Sequence, residues 1–308
     1  MPVLFQILAL FILMGVGFVT GKLRILDQGT TKGLSRLIIK TSLPALIFMS
    51  FQKPFSRELF GEAMATLLTS GLFYAGIILL SLAAVKLLRV SKEQSGVYAF
   101  TLSFSNAAFI GFPVVTSILG EEALFLTAIH NIFFNLLAFS IGIIIIGKGI
   151  GQEPQKHSFR ALIGKALNIN VFASIAGFIL FIFSVYIPPF IAMPLNMLGS
   201  ITTPLAMIVT GAILSEAKLA PILKNWRMYI VSILRLVVWP FLTAVILRLC
   251  NVSGDPFYIT VIIAGMPAAS NASLLAAVYG GDAESASAIV CMTTLLSVVT
   301  IPVLAMIL

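Results

Sequence analysis

The chain has 308 residues, 59% of them hydrophobic and only 10% charged, with a net charge of +8. A soluble domain carries about a quarter charged residues, so this composition excludes a water-soluble globule. At about 20 apolar residues per crossing, the length holds about ten membrane spans and no sizeable soluble domain. Basic loops beside a membrane account for the positive charge without a nucleic-acid partner.

The apolar runs fall at about 2–20, 30–52, 59–88, 94–119 and 122–147, then at about 169–187, 190–214, 226–250, 256–280 and 284–308. The first run has no basic residue before it and reads as a span rather than a cleavable signal. Span two carries Lys40 and then Pro44, in the stretch TSLPALIF. Span four contains SFSNAAFIGFPVV, which puts Asn106, Gly111 and Pro113 within about 10 Å of helical rise. Span five carries His130 with Asn131 and Asn135, and the polar connection 148–168 follows, with His157 solvated in it. In span seven, TTPLAMIV sets Pro204 against the Pro44 of span two. Span eight opens on Trp226, an interfacial anchor, and carries Arg235 and then Trp239, a packing residue beside Pro240. Span nine contains GMPAASNASLLA, with Gly265, Pro267, Ser270 and Asn271. Cys250 and Cys291 both sit in apolar runs, have no His nearby, and read as packing residues, so no metal site is expected.

Fourteen Lys and Arg residues fall in odd-numbered loops and three, Lys53, Arg57 and Arg248, in even-numbered ones. Basic residues are retained in the cytoplasm, which predicts that both termini lie outside it. Five spans is an odd number, so homologous halves at 1–147 and 169–308 would cross the membrane in opposite senses. Ser-Asn-Ala occurs in spans four and nine alike, at 105–107 and 270–272, and each span exits on Gly and an acid. The predicted fold is therefore an all-α membrane protein of ten helices in two inverted five-helix repeats. Lipid tolerates helix breaks only where they pack in protein or line a cavity, so Pro44, Gly111, Pro204 and Gly265 mark the expected working part.

If spans four and nine unwind and cross, free N–H and free carbonyl groups meet near the membrane centre, giving anion and cation sites together. No acid falls at depth, which disfavours a carrier relying on a buried carboxylate, although carbonyl, Asn, Ser and Thr oxygens could still hold sodium. His130 is a candidate proton-linked group, the alternative being a neutral histidine bonded within the bundle. Lys40 and Arg235 are each candidate ligands for an anion; both have stems long enough to snorkel to the basic side instead, Arg235 the more readily because it lies nearer that side. An intramembrane protease would need paired acids, which are missing, or a serine partner for His130, which the sequence does not identify. A membrane receptor is the other non-transport reading.

The stretches LPALIF (43–48), SNAAFIGFPVV (105–115), HNIFFNLLAFSIG (130–142), PLAMIVTGAIL (204–214), PAASNASLLAAVYGGDAESAS (267–287) and TIPVL (300–304) resemble the auxin efflux carrier family of membrane transporters, in its short microbial form. The resemblance runs end to end and implies an architecture similar to the bile-acid symporters and sodium–proton exchangers. Spans one, two, six and seven would then form a scaffold that often dimerises, and the rest a unit moving as an elevator. Asn106, Pro113, Pro267 and Asn271 would frame the substrate, a small organic anion such as malate, malonate or an indole acid, with coupling to sodium, protons or neither left open. A sodium-coupled symporter is the alternative carrier. Relatives often open span six with Asn-Pro, whereas Asn168 is followed by Ile169, which leaves the start of that span less fixed. The long insertion of many plant members is absent between spans five and six, so regulation by kinases through that loop is not expected.

Overall fold

The computed structural model describes residues 3–147, 164, 166–217, 222 and 225–308. Lys148, Lys156, His157, Arg160, Lys165, Lys218 and Lys224, and most of the 148–168 connection, lie outside the described residues. Among those described there is no strand, only an isolated antiparallel bridge between Ser105 and Ala268. Among the described residues, seven helices are long and apolar enough to cross a membrane: Val3–Lys22, Gln28–Ser50, Arg57–Leu87, Glu121–Gly147, Pro189–Ser215, Trp226–Leu249 and Ala283–Ile307. Shorter apolar helices cover Ala107–Leu119, Ile169–Ile182 and Asp255–Ala264. Every apolar run of the sequence is thus helical over most of its length.

The first half contains α1 (Val3–Lys22), α2 (Gln28–Leu37), α3 (Leu43–Ser50), α4 (Arg57–Leu87), α5 (Lys92–Ser103), α6 (Phe112–Leu119), α7 (Leu124–Ala138) and α8 (Ile141–Gly147). The second contains α9 (Ile169–Ile182), α10 (Pro189–Ser200), α11 (Thr202–Ser215), α12 (Trp226–Ile233), α13 (Trp239–Leu249), α14 (Asp255–Ala264), α15 (Ala272–Tyr279) and α16 (Ala283–Ile307). Local chemistry sets several starts. Asp27 accepts the Thr30 N–H at 2.7 Å to cap α2, Ser56 accepts the Leu59 N–H to cap α4, and Asp282 accepts the Ser285 N–H at 2.9 Å to cap α16. Asn168 caps α9 through the Asn170 and Val171 N–H groups and donates to Asn135 Oδ1 at 2.7 Å. The start of that helix is fixed without the proline of related sequences.

Pro44 and Pro204 do not break their helices. Pro44 sits at the head of α3, immediately after a π-turn at Ile38–Ser42, and the whole of Gln28–Ser50 stays helical. Pro204 lies in the first turn of α11, separated from α10 by a single residue, Ile201. The π-turn recurs: Ala107–Gly111 precedes Pro113, and Leu234–Val238 precedes Pro240. In each case the proline follows two residues after the turn ends. Proline lacks the N–H for the usual bond and its ring crowds the carbonyl four residues back; an inserted residue relieves both at the cost of a local bulge.

Lipid gives helices no hydrophobic reason to associate, so close packing of small residues does much of the work. Helix α1 runs along α11. A Cβ added at Gly17 would overlap the Ile208 carbonyl oxygen, and one at Gly211 the Met14 carbonyl oxygen, so these backbones touch. Helix α3 packs against α9 and α10, where Phe51 meets Phe125 at 5.1 Å and Phe178 at 6.1 Å, both edge-on. A second set of neighbours comprises α4 with α5, α7 and α14, α5 with α8 and α16, α13 with α14, and α15 with α16. Helix α1 thus pairs with α11, and α3 with α9 and α10, while α1 also meets α6 and α16, α11 meets the π-turn at Ala107–Gly111 and α16, and α3 and α9 meet α7.

Candidate functional site

Helix α5 has 12 residues and α14 has 10, so from their outer ends they rise about 18 Å and 15 Å, roughly half the hydrocarbon thickness, before the chain leaves the helix. Phe104 is extended after α5, and 265–271 is non-helical after α14. The two breaks meet as a short antiparallel crossing. The Asn106 N–H donates to the Pro267 carbonyl at 2.7 Å, and the Ala269 N–H donates to the Phe104 carbonyl at 3.0 Å. Thr293 of α16 accepts the Ala268 N–H at 3.1 Å. Extended backbone at this depth finds no water, and each break satisfies the other.

Asn106 caps the helix that follows: its Oδ1 accepts the Phe109 N–H at 3.2 Å. That bond orients the amide, so Nδ2 faces the other way, buried and without a partner. Asn271 Oδ1 is likewise buried and unpartnered. Both asparagines border a cavity of about 530 Å³, together with Ser270, Ser273, Thr210 and Thr294. One face of α2 forms its outer wall, through Gln28, Thr31, Lys32, Ser35 and Arg36, continued by Ile39 of the π-turn that follows. Helices α2 and α11 supply one side of this cavity and the residues at the two breaks, with α16, the other.

Of the residues singled out in the sequence, Asn106, Ser270 and Asn271 come together at the cavity. Pro113 and Pro267 are buried beside them and act through backbone: Pro267 as the carbonyl acceptor, Pro113 as the head of α6. Gly111 and Gly265 make room for Ile263 and Leu304, whose methyl groups a Cβ would meet at 2.7 and 2.6 Å. Lys40 is exposed on the outer face and does not line the cavity. The cations that do are Lys32 and Arg36, two turns and one turn earlier. The sequence held their signal, since 28, 31, 32, 35, 36 and 39 form one helical stripe.

His130 is fully buried, its Nδ1 2.7 Å from Ser70 Oγ, so a serine partner does exist. Ser70 Oγ also lies 2.6 Å from the Thr66 carbonyl, to which it donates. The hydroxyl oxygen therefore accepts from the imidazole, the reverse of an activated nucleophile. Asn131 is buried next to it, and Asn135 Nδ2 donates to the Asn131 carbonyl at 2.9 Å. Neither His130 nor Asn131 borders the cavity. Arg235 does not snorkel; the π-turn at Leu234–Val238 holds it fully buried, where it donates to the Leu102 carbonyl. Trp239 does more than pack, since its Nε1 donates to that same oxygen at 3.1 Å. Trp226 is exposed at the head of α12, as an anchor requires. Cys250 is exposed rather than packed, and Cys291 is buried along the cavity wall.

The family model described as membrane transport protein matches residues 2–305. An uncharacterized transporter of Methanothermobacter thermautotrophicus is 27% identical, covering 96% of this chain and 95% of its own. The uncharacterized transporter YfdV of Escherichia coli is 21% identical over the same shares. A proposed malonate transporter of Rhizobium meliloti is 28% identical, over 96% of this chain and 92% of its own.

Proposed function

The chain belongs to the membrane transport protein family, the auxin efflux carriers that its motifs resemble, and on that premise we propose that it is a secondary carrier of small organic anions. One observation carries the reading: a cavity that joins the unpartnered Asn106 amide at the crossed breaks to the cationic stripe of Lys32 and Arg36. A carboxylate takes hydrogen bonds from amide donors and charge from the two cations, while Phe109, Leu214, Leu274 and Val290 receive the carbon skeleton. A dicarboxylate has a second charge for the field of the two cations, which agrees with the name of the Rhizobium relative.

In this reading the protein crosses the membrane ten times, in two inverted repeats at 1–147 and 169–308, with both termini outside the cytoplasm of a cell whose inner membrane it occupies. The cavity then opens toward the cytoplasm. Spans one, two, six and seven are the scaffold of a homodimer, and the remaining spans slide against it as an elevator. The cavity's position, with α2 and α11 on one side and the two breaks on the other, supports that division.

Uptake of radiolabelled malonate, malate and an indole acid into proteoliposomes tests the function. A hydrogen bond to a charged group is worth about 1.5–3 kcal/mol, so Asn106→Ala and Asn271→Ala are each expected to lower uptake roughly tenfold or more while the protein elutes as a folded species. Unchanged uptake in both variants defeats the site, and binding without counterflow identifies a receptor instead.

A further inference from the structure

The broken span four leaves the carbonyl end of α5 exposed inside the protein, where the last turn of a helix has no backbone partners and carries about half a negative charge. In a crossed-helix site this end is where a free cation would bind. Here it is already occupied. Arg235 Nη1 donates to the Leu102 carbonyl at 3.3 Å, and Trp239 Nε1 shares the same oxygen. Arg235 is fully buried, and its Nε and Nη2 close no hydrogen bond. Among the described residues no carboxylate faces it; the titratable neighbour is the Tyr74 hydroxyl, itself buried and without a hydrogen bond. A guanidinium cannot shed its proton to escape such a place, and burying a charge without compensation is prohibitively unfavourable. The negative end of α5 is its compensation.

We infer that Arg235 is a cation built into the protein, taking at the carbonyl end of the first break the place that a sodium ion would hold, so that the site assembles without a coupling ion. This rests on the crossed breaks being the working part of a carrier. A sodium ion at the Leu102 carbonyl would lie against the guanidinium, and like charges at that separation in a low-dielectric interior exclude each other. The π-turn is the structural means, since the extra residue in span eight coincides with the inward placement of a side chain whose length would otherwise let it reach the membrane surface.

The test is thermal denaturation of the purified full-length protein in detergent, in sodium, potassium or choline chloride at equal ionic strength. The wild type is expected to melt at the same temperature in all three. Arg235→Gln, which removes the charge and opens the carbonyl end, is expected to melt higher in sodium than in choline, and Arg235→Lys to behave as the wild type. A rise specific to sodium in the wild type overturns the inference, as does a folded Arg235→Gln that ignores sodium. Should Arg235→Gln not fold, the wild type and Arg235→Lys still decide, a sodium-specific rise in either counting against it. No organic anion enters these measurements. Failure of the carrier reading would show separately, as the lack of any anion-induced shift in every salt.

Discussion

Asn106 shows how one side chain can serve both backbone and cavity. Its carbonyl oxygen is committed to the Phe109 N–H, and this fixes the direction of the amide group that no protein atom meets. An alanine there would remove a helix cap, worth about 1 kcal/mol, along with the free donor. Lys32 and Arg36 act differently. They sit on an open wall in contact with water, where charge attracts an anion at reduced strength and is screened by salt. Arg36→Gln is therefore expected to weaken anion binding roughly fivefold at low salt, with the deficit shrinking as ionic strength rises, and with little change in melting temperature. Titrating the anion by calorimetry at two salt concentrations checks this. A deficit that does not depend on salt would mean that Arg36 contacts the anion directly or acts through structure.

At the scale of elements, the prolines explain themselves by what precedes them. Three of them follow π-turns, and only where the chain also contains a stretch unable to continue the helix, at 104–106 or 265–271, is the span interrupted. The starts of two of these elements are tied together. Asp282 caps α16 and accepts from Gln94 Nε2 at 3.0 Å, joining the start of α16 to α5. Partial burial alone would push its carboxyl up, but the Ser285 N–H and hydroxyl and the Gln94 amide outweigh it and hold the group below the usual carboxylate range. A carboxyl lowered on folding stabilises the protein fully above its unfolded value of about 4 and loses that contribution as pH falls through the folded value. Asp282→Ala is expected to cost about 1 kcal/mol at neutral pH. Its melting curve should converge on that of the wild type in acid, and a constant gap at all pH values would assign the loss to packing instead of charge.

On the scale of the whole molecule, helices meet in two ways. Gly17 and Gly211 bring α1 and α11 into backbone contact. Around the breaks, polar side chains such as Thr31, Ser35, Thr210 and Thr294 instead face a cavity. If the cavity opens to the cytoplasm as proposed, Ser273→Cys, in a chain whose Cys250 and Cys291 are replaced by serine, should react with an impermeant maleimide from that side. Malonate should slow the reaction. Labelling only from the opposite face would reverse the orientation, and labelling from both faces in turn would support alternating access.

Membrane residence, the helical nature of each apolar run and the interruption of spans four and nine were legible from the sequence, because each follows from local properties; the span-four break, however, falls at 104–106, and Gly111 and Pro113, expected to make it, lie inside the helical stretch Ala107–Leu119, where the π-turn accommodates the proline. Asn106, Ser270 and Asn271 were legible for the same reason, lying within the breaks themselves. Burial was not. Lys40 lies one turn beyond Arg36, on the same face of an ideal helix, yet it falls in the π-turn at Ile38–Ser42, which shifts the register, and only Arg36 borders the cavity. Arg235 has a stem long enough to reach the surface, but a π-turn and a carbonyl from another span hold it inside. His130 acquired its serine from a helix sixty residues away in the chain. Local chemistry determined where the helices begin, bulge and break; which side chains then meet depended on contacts between distant segments, which no property of a single segment contains.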